Sequence, residues 1–176
     1  MSKAFPNVNI IIPDDADMVV AKGAVLFGHG PNFIVSRIAQ YTYGRLIQPL
    51  FEAGKHDDSK YVNIDGNERC NKVFDILIKK GEKVEVGKNI RREYETLEER
   101  QSTIKIEVFI TKEDTVFYTD DEGCKLLCEA SVELPTTSTR GKRCIAVDFE
   151  FGNTEFKVTA FEKETNKLCE VTCALR

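Results

Sequence analysis

From Gln40 to the last residue, apolar side chains recur at every second position in short runs separated by charged turns. Successive side chains of a strand point to opposite faces, so each run acquires one apolar face that needs a partner surface. Ile145, Val147, Phe149 and Phe151, alternating with Cys144, Ala146, Asp148 and Glu150, are the clearest case. The pattern predicts strands over about 40–51, 60–64, 72–78, 88–96, 102–111, 115–119, 124–134, 143–151, 154–162 and 167–175. Lys80-Gly81 and Asp65-Gly66 supply turns, and Phe151-Gly152-Asn153-Thr154 reads as a two-residue hairpin, since Gly and Asn tolerate positive φ. Two packed antiparallel sheets bury such faces, so the fold class is mainly β, an antiparallel β-sandwich over 41–176.

The first 40 residues follow other rules. Val8 to Ile12 forms a short apolar strand stopped by Pro13, and Asp14 and Asp15 cap a helix over roughly 16–27. Gly28, Gly30 and Pro31 end that helix; because Gly28-His29-Gly30 follows a helix and has no third glycine near it, it is a terminator and not a dinucleotide loop. Residues 1–30 are thus a strand-helix piece and 31–40 a connector.

Lys and Arg number 25 against 29 Asp and Glu, a net charge of −4, which argues against nucleic acid as a partner. The basic run Lys79, Lys80, Lys83, Lys88, Arg91 and Arg92 adjoins Glu93, Glu95, Glu98 and Glu99, as expected of solvated hairpin faces. Met18 to Ile34 is broken by Lys22, His29 and Pro31, so no membrane span is expected. Without a signal-like apolar start, the expected location is the reducing cytoplasm. Six cysteines raise the question of zinc or disulfides, but Cys128, Cys169 and Cys173 fall on the apolar side of alternating runs and read as small core hydrophobes; no metal is expected. His29 and His56 are the only histidines, and the paired carboxylates Asp14/Asp15, Asp57/Asp58 and Asp120/Asp121 sit in turns or at a cap. No catalytic constellation emerges, and the chain is not expected to be an enzyme by itself.

Several segments carry a resemblance. Ile12-Pro13-Asp14-Asp15-Ala16 and Val20-Ala21-Lys22-Gly23-Ala24-Val25 resemble the helix that closes the ATPase domain of the seventy-kilodalton heat-shock chaperones. Residues 73–81, 101–108 and 148–160 are similar to the peptide-binding β-sandwich of that family. Lys22 to Gly28, Tyr41-Thr42-Tyr43-Gly44 and the 151–160 hairpin resemble its divergent twelfth-member branch. The resemblance implies a short remnant of an actin-like ATPase domain followed by a substrate-binding sandwich, together the C-terminal piece of a longer chaperone. ATP and magnesium belong to the upstream ATPase domain of a full-length relative; within this chain only Asp14 lands on an adenosine-pocket position, where a helix cap is an equally good reading, and no cofactor is implied.

For the sandwich, the resemblance implies a groove for extended apolar peptide segments. Ile104 takes the place of the central pocket residue, with Ile106 on the same face, and Cys70 and Tyr94 fall near the two positions that arch over a bound peptide. The segment from Arg92 to Gln101 forms one wall. Plain core packing is the competing reading of Ile104 and Ile106. Ile34 to Gln40 departs from the family's acidic, leucine-rich linker, and 54–70 and 113–123 look like insertions. The alternative function is therefore an adaptor or scaffold sandwich, bound to a specific protein partner, that keeps the fold without general client binding.

Overall fold

A computed structural model describes residues 16–30, 35–99, 101–134, 141–152, 155–163 and 168–174. The chain divides into two units at Val35/Ser36. Among the described residues the first holds one helix, α1 (Val19–His29), whose residues are all exposed. It begins at a Met18 N-cap without a side-chain cap bond, three residues later than the sequence predicts, and runs through Gly28 to Gly30, whose N–H donates to Leu26 O at 3.0 Å. A single glycine is tolerated inside a helix at a modest cost, so Gly28 does not stop it. The proposed strand at Val8–Ile12 and the Asp14/Asp15 cap lie outside the described residues.

The second unit contains the described strands: β1 (Ser36–Ile38), β2 (Thr42–Ile47), β3 (Tyr61–Ile64), β4 (Asn67–Cys70), β5 (Val73–Ile78), β6 (Lys83–Glu85), β7 (Lys88–Glu95), β8 (Thr103–Thr111), β9 (Lys125–Glu133), β10 (Cys144–Phe151), β11 (Glu155–Glu162) and β12 (Leu168–Ala174). Two four-stranded antiparallel sheets, ordered β5-β2-β8-β9 and β7-β10-β11-β12, share one core. Tyr43, Ile106, Val108 and Ile110 from the first sheet meet Ile145, Val147, Phe149, Phe151, Phe156 and Val158 from the second. The Tyr43 ring meets Phe151 edge-on at 5.5 Å and stacks on Phe156 at 6.1 Å, tying the sheets together with aromatic contacts. At one side β9 lies against β12; at the other, β2 faces β7 through Arg45 and Tyr94.

Most expected strands form. β2 stops at Ile47 instead of reaching 51, because Pro49 has no N–H to give a ladder; its carbonyl instead accepts from Cys70 N–H at 2.9 Å. No strand forms over 115–119. There the N–H groups of Phe117 and Tyr118 both donate to the Asp121 carboxylate, at 2.8 and 2.9 Å, and only an isolated bridge pairs Tyr118 with Val73. β1 and β6, three residues each, pair with one another, so 36–38 within the expected connector is strand. The Asp65-Gly66 turn has positive φ at both residues, 49° and 76°, as a twist-matched two-residue hairpin requires, and it joins β3 to β4. At the β10–β11 end, Gly152 N–H donates to Glu155 O at 2.9 Å, while Asn153 and Thr154 lie outside the described residues.

Candidate functional site

β8 aims Ile104, Ile106, Val108 and Ile110 at the core, since strand alternation puts every second side chain on the inner face. Ile106 is buried and Ile104 half-buried. On the facing sheet Tyr94, opposite Ile145 in the β7–β10 register, also packs on this core and keeps partial exposure. Three of the four proposed peptide-contacting residues therefore border one interior. Cys70 does not join them. It closes β4 opposite Tyr61, fully buried, with its Sγ 3.7 Å from Asn71 O and its thiol pushed up by burial. Its surroundings are Tyr118, Lys60 and Asp57. Asp14 lies outside the described residues.

Cys70 belongs to a module that the segments 54–70 and 113–123 build together. Lys60 holds the Asp120 carboxylate at 2.7 and 2.8 Å, Lys72 reaches it at 3.0 Å, and Asp57 N–H donates to the Tyr118 hydroxyl at 2.8 Å. Phe74 N–H to Phe117 O and Thr119 N–H to Lys72 O, both 2.8 Å, fasten 117–119 to the start of β5. A shallow depression of about 240 Å³ lies nearby, lined by Thr42, Ile76, Lys79, Lys80, Asp114 and Val116. Its Lys80 is already engaged by Lys112 O at 2.6 Å and Asp114 at 3.1 Å.

Arg45 was not a candidate from the sequence, although the signal was there: it sits between Tyr43 and Ile47 on the inward side of β2. The structure buries it at 8% exposure, with its guanidinium carbon 3.3 Å from the centroid of the Tyr94 ring. Such a desolvated cation–π stack is worth about 2 kcal/mol, well short of the cost of burying an unpaired charge. Among the described residues no hydrogen bond or ion pair engages Arg45, and both its Nε and the Tyr94 hydroxyl are buried without a partner. Burial pulls the Arg45 guanidinium down to about 10 and pushes the Tyr94 phenol up to about 12. Asp75, the cross-strand neighbour of Arg45, attracts it, and Arg92 repels it.

The expected groove wall is anchored from the second sheet. Thr96 and Arg143 are joined twice, by a backbone bond from Thr96 N–H to Arg143 O at 2.9 Å and by Arg143 N–H donating to the Thr96 side-chain Oγ1 at 3.1 Å. The Arg143 guanidinium donates to Gln101 O and lies 3.5 Å from the buried Glu162 carboxylate. Gln101 in turn accepts from Leu97 N–H at 3.0 Å and donates to Thr103 O at 2.9 Å. Glu162 continues the inward series Phe156, Val158 and Ala160, a pattern visible in the sequence once strand ends are known.

Among the described residues no group of three or more His, Cys, Asp or Glu side chains converges as a metal cage, and no helix is long and apolar enough to cross a membrane. No protein-family model matches the chain. Curated relatives do. Heat shock 70 kDa protein 12A of Homo sapiens is 34% identical over 165 residues, and that of Mus musculus 33%, each covering 92% of this chain. Heat shock 70 kDa protein 12B of Homo sapiens is 29% identical over 168 residues, covering 91%. The chain spans about a quarter (24%) of the length of these relatives. Along about nine-tenths of its length, at 92% coverage, it is a relative of the heat shock 70 kDa protein 12 branch of the seventy-kilodalton heat-shock family.

Proposed function

We propose that the second unit is a chaperone-type peptide-binding sandwich. In this reading an extended segment is gripped by backbone hydrogen bonds and apolar pockets in a groove of the sandwich, as in other strand-like recognition. The observation that carries it is that Ile104 and Tyr94, on facing sheets, remain partly exposed, with the 92–101 wall fixed by Arg143, Thr96 and Gln101. α1 is then the end of an actin-like ATPase domain whose remaining parts, with ATP and magnesium, belong to a longer relative, working in the cytoplasm.

Fluorescence anisotropy with a labelled Leu-rich heptapeptide tests the reading. Ile104→Phe overfills the proposed pocket and is expected to weaken binding by about 1–3 kcal/mol while the far-ultraviolet dichroism and a cooperative melt are kept. Lys105→Ala, which removes only an exposed 3.1 Å pair with Glu129, is expected to leave affinity unchanged. Equal affinity in wild type and Ile104→Phe, or no binding at high micromolar peptide, would overturn it in favour of the adaptor.

A further inference from the structure

The Arg45 guanidinium is at odds with a wholly apolar binding groove. It is more than nine-tenths buried, it faces Tyr94 of the other sheet, and among the described residues no carboxylate forms an ion pair with it. One face is covered by the Tyr94 ring, and its strand neighbours are Val108 and Asp75. Its Nε and the Tyr94 hydroxyl are buried donors that have no acceptor among the described residues. A buried arginine is ordinarily matched by an acid, because the Coulomb attraction and charge-assisted hydrogen bonds then repay its desolvation. Asp75, its cross-strand neighbour, attracts it without forming an ion pair, and Arg92 repels it. Tyr94, partly exposed, packs on the core that Ile104 and Ile106 border.

We propose that the Arg45–Tyr94 stack is an acid-recognition pocket, in which an Asp or Glu side chain of an extended peptide accepts hydrogen bonds from Arg45 and from the Tyr94 hydroxyl. This rests on the peptide-binding reading above and names its specificity: apolar segments that carry one acidic residue. Arginine suits such a pocket because its planar fork matches a carboxylate while its flat face stacks on an aromatic ring. No covalent step is involved.

Three labelled heptapeptides, identical except for Leu, Glu or Gln at the central position, are titrated by anisotropy against the full chain and against Arg45→Met and Tyr94→Phe. Wild type is expected to bind the Glu peptide about tenfold or more tighter than the Gln peptide, the scale of a hydrogen bond to a charged group. Arg45→Met should abolish that preference, and Tyr94→Phe should reduce it about threefold, because only the hydroxyl is lost. If Arg45→Met does not melt cooperatively, the wild-type Glu/Gln ratio and Tyr94→Phe decide. Equal Glu and Gln affinities, or a preference that survives a folded Arg45→Met, overturn the pocket while leaving the peptide-binding reading standing. No binding of any peptide overturns both.

Discussion

Glu162 is the most deeply placed acid of the core, and its partner is the nearly as buried Arg143 at 3.5 Å. Taking two charges from water is costly, so such a pair adds little over an apolar pair of the same shape, yet removing one partner strands the other. Glu162→Ala is accordingly expected to destabilise the fold by about 3–5 kcal/mol in urea unfolding, and Arg143→Met combined with Glu162→Leu to recover most of that loss. A single substitution that costs as little as the double one would contradict the pairing. Asp148 is held differently: Arg91, opposite it in the β7–β10 register, clasps both carboxylate oxygens at 2.7 and 2.6 Å. These hydrogen bonds keep the Asp148 carboxyl below its ordinary value. A depressed folded value means that the stabilisation is complete above the unfolded value of about 3.9 and is lost as pH falls through the lower folded one. Asp148→Asn should therefore cost about 1 kcal/mol at neutral pH, modest because Arg91 is 58% exposed, with the difference from wild type vanishing on acidification below about pH 4. Stability curves for both proteins across pH 2–7 check the sign.

Among the elements, β2 depends on its one glycine. A Cβ on Gly44 would sit 2.0 Å from Phe74 Cε1, and the Phe74 ring is buried, so neither the strand nor the ring can give way cheaply. Gly44→Ala is expected to destabilise by about 1–3 kcal/mol or more, with Phe74→Leu restoring part of it; additivity of the two changes in denaturant melts would refute the clash. The module made of β3, β4 and 113–123 is held mainly at the surface, by Asp120 between Lys60 and Lys72. Asp120→Ala should hardly move the global melt yet speed amide exchange at Thr119 and Phe74, whose N–H bonds fasten that module to β5. Long strands with strict alternation, β8, β10 and β11, were legible in the sequence because burial of one face dictates their pattern. The three-residue β1 and β6 and the polar β4, Asn-Glu-Arg-Cys, were not, since so few residues carry no period and only pairing defines them. The 115–119 segment misled in the opposite direction: Thr115-Val116-Phe117-Tyr118-Thr119 is all β-branched or aromatic, as strands favour, but the Asp121 side chain takes the backbone donors a strand would use.

For the molecule as a whole, the sequence by itself determined that most of this chain forms antiparallel sheets around one core, because period-two apolar runs between turn residues have few other ways to bury their faces. It also determined which face of β8 turns inward, and so the placing of Ile104 and Ile106 at the interior. Tertiary structure decided what meets across the gap between the sheets. Register and sheet order bring Arg45 onto Tyr94, 49 residues away along the chain, dock Asp120 on Lys60 and Lys72, and set Arg143 beside Glu162. They also remove Cys70 from the company of Tyr94 and Ile104. The physical reason is that periodicity is a local property, fixed by the backbone repeat and the need to bury one face. Which charged group loses its water, and whether an opposite charge meets it there, depends on pairings between distant strands that no local pattern encodes.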